Sequence, residues 1–198
     1  MRPRRTEEQR RELLPIVARA FADLGYRRAT TLELARRCRV QETILYRLWP
    51  DKKAMFIAAI RHVYELAAKV WTREGAREEG GFSSVRALAY EARHLGEFGH
   101  YRIIFAGLGE TDDAEIRGAL AAMYRDFHAF LESRVGTVGP RRGCRHKARR
   151  IAPDLAAWAL IGLGTVSTIV RELGVLDARG RERLFKEVGA LLFGMQRD

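Results

Sequence analysis

The nine residues from Gln41 to Trp49 constrain this chain more than any other stretch. Arg39-Val40 precedes them as a tight turn, and Pro50 closes them. At about 100° per residue, Ile44, Leu45, Leu48 and Trp49 fall on one side of a helix. Glu42, Thr43, Tyr46 and Arg47 fall on the opposite side. The apolar side has to be buried, so the helix must be planted in a core with its polar side outward. At roughly 13 Å long, such a helix fits a DNA major groove about 12 Å wide. Any surface helix has a polar face, so the reading depends on what surrounds this one.

Residues 7–24 place Leu13, Val17, Ala20, Phe21 and Leu24 on a helical stripe. Pro15 falls in the first turns expected for that helix, where a missing N–H is tolerated. Gly25 takes the usual C′ place at its end. Thr30 or Thr31 offers an N-cap to a short second helix that carries Leu32, Leu34, Ala35 and Cys38. A helix, a short helix, a tight turn and a third short helix make a helix-turn-helix unit. After Pro50, Asp51 caps a fourth helix from Lys52 to about residue 73, with Met55, Ala59, Val63, Leu66 and Val70 as its stripe. Helices are expected at about 82–98, 101–108, 113–135, 153–174 and 180–194, with glycines between them. No stretch alternates with period two, so the fold class is all-α.

The charge is distributed in favour of the same reading. The 198 residues hold 36 Lys and Arg against 25 Asp and Glu, a net +11. Residues 1–53 alone contribute +7, and the run 141–150 (RRGCRHKARR) contributes +6. That run reads as a solvated loop, whereas the N-terminal cluster coincides with the helix-turn-helix. Such an excess favours an anionic partner: nucleic acid, a membrane surface or an acidic ligand. A 47% apolar content with 31% charge excludes a disordered chain. The N-terminus is basic, then acidic, with no apolar stretch behind it, which is not a signal peptide. The longest uncharged run, 16 residues between Asp154 and Arg171, is short for a membrane span and reads as a buried or interface helix. Only Cys38 and Cys144 are present, with no CxxC pair, so neither a zinc finger nor a disulfide scaffold is expected. A reducing, cytoplasmic compartment fits.

Each polar residue of the unit suits a DNA contact. Arg47 can grip a guanine edge or clamp a phosphate. Tyr46 and Thr43 can bond phosphates or touch a thymine methyl, and Gln41 can reach an adenine. Glu42 would accept from a cytosine amino group or simply complement the helix dipole. Lys52 and Lys53 open the fourth helix, where ammonium and free N–H groups both attract phosphate. Thr30 and Thr31 are placed to do the same at the second helix.

Enzyme chemistry finds no comparable pattern. Glu91, His94, Glu97 and His100 recur every three residues, but such a set drifts by about 60° per step around a helix and does not converge on one metal. Cys144 and His146 are a lone pair in a basic loop. No phosphate loop, GxSxG or HExxH is present. A non-enzyme without cofactor or metal is expected.

Across about residues 10–60 the sequence resembles the TetR family of transcriptional regulators. The resemblance rests on VARAFADLGYRRATTLELARRCRVQETILYRLWPDKKAMFIAAI. Phe21 to Gly25-Tyr26, the Thr30-Thr31 cap, Leu45-Tyr46, Trp49 and Lys52-Lys53 match the family pattern in order. The resemblance implies a DNA-binding domain over 1–53 and a ligand-binding and dimerisation domain over 54–198. It implies a ligand-responsive repressor that binds a near-palindromic double-stranded operator as a homodimer. A small-molecule effector would sit in a C-terminal pocket, for which Trp71, Tyr90, His94, Phe98, Tyr101, Phe105, Met123, Tyr124, Phe127, His128 and Trp158 are the candidate lining. Helices 153–174 and 180–194 would form the dimer, with Gly162 and Gly164 allowing a partner helix close.

Four positions depart from the family pattern. Arg39 stands where Gly is common, at a cost of about 1 kcal/mol if its backbone is left-handed. Gln41 replaces a Ser or Thr cap, worth about 1 kcal/mol. Arg47 replaces a common His, and Leu48 a common aromatic. Arg39 and Gln41 motivate an alternative: a helical ligand-binding or interaction module without specific operator recognition.

Overall fold

The computed structural model describes residues 2–76, 90, 93–94, 101–135 and 151–193, with side chains described within 5–189. Among them eight helices follow in order. They are α1 (Arg2–Arg28), α2 (Thr31–Cys38), α3 (Glu42–Leu48), α4 (Lys52–Gly75), α5 (Arg102–Leu108), α6 (Ala114–Val135), α7 (Pro153–Glu172) and α8 (Ala178–Phe193). No strand occurs among the described residues. The helix expected at 82–98 and the run 141–150 lie largely or wholly outside them.

The chain forms two compact units, Met1–Leu66 with Phe98–Tyr124, and Ala67–Glu97 with Arg125–Asp198. In the first, α1 buries Leu13, Val17, Ala20 and Phe21 as its spacing requires. α2 adds Leu34, Ala35 and Cys38, α3 adds Leu45 and Leu48, and α4 adds Met55, Phe56, Ala59, Ile60 and Val63. Phe21, Tyr26 and Phe56 meet ring to ring, Phe56 lying 4.9 Å from Phe21 and 4.8 Å from Tyr26. Burying such rings contributes about 1.5–3 kcal/mol each. Burial also pushes the Cys38 thiol up to about 11, so it stays a protonated core residue at neutral pH. α5 packs along α1. Gly107 of α5 lets α6 approach: a Cβ there would lie 3.1 Å from Leu120 Cδ1. Ile103, Ile116, Leu120 and Met123 complete this core.

Three local expectations are corrected. α1 starts at Arg2, well before the apolar stripe, so Pro15 lies in mid-helix rather than in the first turns. It offers no N–H to the carbonyl of Arg11, but its position is exposed, where water can serve. Gly25 breaks the helix at φ 73, ψ 170, a region open essentially only to glycine, and not at the left-handed helical C′ geometry. Leu32, two residues before Leu34, faces away from the core and is 67% exposed.

In the second unit α7 buries Ala156, Ala157, Leu160, Leu163, Ser167 and Thr168, and packs with α8, which buries Phe185. Thr168 Oγ1 returns its hydrogen bond to the carbonyl of Gly164 at 3.0 Å. By length and composition α7 could cross a membrane. The buried side just described belongs instead to this helical unit. Its other side bears Leu155, Trp158, Val166 and Ile169, all exposed.

Candidate nucleic-acid interface

α3 has seven residues, too few to persist alone in water. Packing holds it: Leu45, Leu48 and Trp49 are at most 4% exposed, and Ile44 packs against the same core. The opposite side is open. Tyr46 is 49% exposed, and Thr43, Arg47 and Gln41 are exposed; Glu42 is half-buried in the first turn, where a carboxylate complements the dipole.

The turn into α3 is built from Arg39 and Val40. Arg39 sits at φ 55, ψ 41, left-handed as its place requires. Its N–H donates to the carbonyl of Arg36 at 3.1 Å, and the N–H of Val40 donates to that of Ala35 at 3.0 Å. Both carbonyls at the end of α2 are thereby satisfied, which offsets the strain. Gln41 holds the N-cap position of α3, but its side chain makes no capping bond. Thr30 does cap α2, accepting from the N–H of Glu33 at 3.2 Å.

Other side chains brace the open face. Tyr46 Oη donates to Thr31 Oγ1 at 3.2 Å, linking α3 to the start of α2. Arg47 Nη2 donates to Gln9 Oε1 at 2.8 Å. Arg10 Nε donates to the carbonyl of Leu48 at 3.1 Å, and its guanidinium lies 5.9 Å from the Trp49 ring centre. This cation sits at the negative end of the α3 dipole. Gln9 and Arg10 brace α3 although no local sequence signal marks them, since each acts across 38 residues.

Both lysines expected at phosphates already have partners in the fold. Asp51 caps α4, its Oδ1 accepting from the N–H of Ala54 at 2.7 Å. Lys52 Nζ donates to the carbonyl of Tyr26 at 3.1 Å and lies 4.4 Å from that ring's centre. Lys53 Nζ donates to Asp113 Oδ2 at 3.3 Å and to Glu115. Those carboxylates push the ammonium's pKa up, Glu115 having the larger effect. On α2, Glu33 is drawn down to about 2 by hydrogen bonds from Arg36 and Arg37.

Residues 18–59, which span this arrangement, match the family model described as bacterial regulatory proteins, tetR family. Over these residues the chain is similar to the TetR family. Its solved neighbours have the same all-helical fold over nearly the whole chain. A TetR-family transcriptional regulator from Cytophaga hutchinsonii is 13% identical with a TM-score of 0.73, covering 98% of each chain. Reduced NemR from E. coli is 18% identical with a TM-score of 0.71, covering 92% of this chain and 97% of its own. AibR in complex with isovaleryl coenzyme A and operator DNA is 19% identical with a TM-score of 0.62, covering 93% and 98%. At these identities the likeness is one of fold. No curated protein sequence matches.

The candidates for a C-terminal pocket fall in both units. Met123 is in the core of the first unit, and Tyr124 packs against it. Tyr101 is half-buried and Phe105 exposed, and both belong to that unit. Trp71, Tyr90, His94, Phe127, His128 and Trp158 belong to the second. There Trp71 is buried, and His94 stacks on Tyr90 with centres 4.2 Å apart. Half-buried Phe127 lies 6.3 Å from Phe130, and His128 lies 4.7 Å from Trp158. The His128 Nε2 hydrogen-bonds the carbonyl of Asp154 at 2.9 Å. Phe98 lies outside the described residues, as do Glu91, Glu97, His100, Cys144 and His146. Among the described residues no group of His, Cys, Asp or Glu could hold a metal ion.

Proposed function

We propose that the chain is a ligand-responsive transcriptional repressor that binds a near-palindromic operator as a homodimer in the cytoplasm. The observation that carries this reading is α3: Leu45, Leu48 and Trp49 are sealed in the core while Thr43, Tyr46 and Arg47 stand open. Residues 1–53 supply the contacts. Arg47, Thr43 and Gln41 meet base edges, while Tyr46, Thr30, Thr31, Lys52 and Lys53 meet phosphates. Glu42 meets a cytosine amino group. Residues 54–198 dimerise and bind the effector. The exposed apolar side of α7 pairs with its copy, so that two α3 helices reach half-sites about 34–36 Å apart. Gly162 is exposed there, with open space where a Cβ would stand.

The effector binds among Trp71, Tyr90, His94, Phe127, His128 and Trp158 of the second unit. α4 contributes residues to both units and carries Lys52 and Lys53 at its start. An effector that binds better when the two DNA heads are wrongly spaced shifts the population off the operator. AibR, whose structure holds isovaleryl coenzyme A and operator DNA together, is support by analogy of fold.

The test is selection of bound duplexes from a random pool by the full chain. A near-palindrome bound roughly a thousandfold more tightly than random duplex is expected. Equal binding to all duplexes would favour the helical module without operator recognition, the reading that the uncapped Gln41 motivates. With the selected site upstream of a reporter, added protein lowers transcription and the effector restores it.

A further inference from the structure

Two cations of the first unit, Arg27 and the phosphate-contact candidate Lys53, are held by carboxylates at the start of α6 and in the connection before it. Arg27 precedes the Thr30 cap by three residues, and Lys53 follows Lys52 in the first turn of α4. Arg27 Nε donates to both oxygens of Glu110, at 2.8 and 3.2 Å. Lys53 Nζ donates to Asp113 Oδ2 and to Glu115. All five residues belong to the first unit, and the three acids come from the connection between α5 and α6 and the first turn of α6.

The connection is structured. Asp113 Oδ1 accepts from the N–H of Glu115 at 2.9 Å and of Ile116 at 3.2 Å, capping α6. Arg117 Nη1 donates to the carbonyl of Thr111 at 2.9 Å. The Glu110 side chain is only 17% exposed, whereas that of Arg27 is 76% exposed. The acid is therefore the fixed partner, and the guanidinium is the one free to swing away. Carboxylate oxygens on a guanidinium and around an ammonium supply the acceptors that phosphodiester oxygens supply. Each pair has one partner open to water, Arg27 in the first and Glu115 in the second, so salt screens them and a polyanion can compete for the cations.

We propose that Glu110, Asp113 and Glu115 are a built-in competitor for DNA phosphates, and that Arg27 and Lys53 become backbone contacts when the acids let go. The proposal rests on the DNA-binding reading of the first unit. It adds Arg27 to the contact set and makes Lys53 a conditional member.

The experiment uses the full chain with Glu110→Gln, Asp113→Asn and Glu115→Gln combined. The amides keep the side-chain size, and Asn at 113 keeps a capping oxygen. Affinity for a random-sequence duplex is measured across a salt series. Freeing two cations should raise affinity about tenfold at low salt and steepen the log–log salt slope by up to about 1.8. The combination Glu65→Gln, Asp112→Asn and Asp126→Asn removes the same charge from exposed positions and should leave the slope unchanged. Adding Arg27→Gln and Lys53→Gln to the first variant should erase its gain. An unchanged slope, a gain matched by the second combination, or a gain that survives loss of both cations overturns the proposal. If thermal melting shows the triple variant unfolded, Glu110→Gln alone, away from the α6 cap, should steepen the slope by up to about 0.9 and refutes the Arg27 contact if it does not. Wild-type protein that binds no duplex at any salt would instead sink the DNA-binding reading, and this proposal with it.

Discussion

Helices α3 and α7 each leave one side uncovered in their own unit, and the two sides differ in kind. α3 turns Thr43, Tyr46 and Arg47 to the outside; α7 turns Leu155, Trp158, Val166 and Ile169. A polar side costs little to leave in water, so its exposure shows only that hydrogen-bonding groups are available. An apolar side that recurs along about four turns is expensive to leave bare and implies an apolar partner. The short helix therefore suits a hydrated, charged ligand such as DNA, and the long helix suits a second copy of itself. If that contrast is right, damage to α7 should act on assembly, and damage to α3 should act on recognition with the fold intact.

The largest effect is expected on α7. Val166→Glu with Ile169→Glu would bury unpaired carboxylates in a dimer interface, at several kcal/mol each. Analytical ultracentrifugation should then find a folded monomer, with operator affinity falling by orders of magnitude because only one half-site is held. A variant that stays dimeric moves the interface elsewhere. On α3, Arg47→Ala should weaken operator binding by about 1–3 kcal/mol and relax preference at one base pair. Arg47 is exposed and held by a single bond to Gln9, so the melting temperature should barely move. Equal loss on operator and random duplex would make Arg47 a phosphate contact rather than a reader.

How legible was this in the sequence? Periodicity places Leu13, Val17, Phe21, Leu45, Leu48 and Met55 in the core because each helix buries one stripe, and a stripe is a local property. The caps at Thr30 and Asp51 are legible for the same reason: a side chain bonds an N–H three residues on. What stayed hidden acts at long range. Nothing in the sequence joins Arg10 to the end of α3, Gln9 to Arg47, or Glu110 to Arg27. Lys53 reads as free for phosphate because its acidic partners lie 60 and 62 residues away. The start of α1 was misplaced because its first turns are polar on every side and carry no stripe. Spacing places each aromatic of the pocket candidates on a helix face without saying what that face meets, so the unit to which each belongs is not legible in the sequence.

A smaller effect tests the turn that delivers α3. Arg39 has the only positive φ among the described residues other than glycine. Arg39→Gly removes a strain of about 1–2 kcal/mol. It also frees the unfolded chain by about 0.4–1 kcal/mol. The net gain should be near 0.5 kcal/mol in chemical denaturation. Arg39→Ala keeps the Cβ and should gain nothing. Matching shifts from both would point to charge rather than backbone.

The smallest expected effect lies beneath the turn, in the ion pairs of α2. Glu33 accepts from Arg36 at 2.7 and 2.8 Å and from Arg37 at 3.0 Å, and Arg37 continues to Asp23 on α1. Those bonds lower its pKa from 4.5 to about 2. A depressed acid stabilises the fold above its unfolded pKa, and the contribution fades as pH falls toward the folded value. Wild type should therefore melt above Glu33→Gln at neutral pH, and the gap should close between about pH 4.5 and pH 2. Asp113, whose pKa is lowered first by the N–H of Ile116, titrates in both proteins and cancels in the difference. The gap should also narrow in high salt, since Arg36 is exposed and its pair with Glu33 is screened. Melting curves that stay parallel through the acid range would mean that Arg36 and Arg37 hold Glu33 no better folded than unfolded, and that the Thr30 cap and the packing of Leu34, Ala35 and Cys38 fix α2 without these ion pairs.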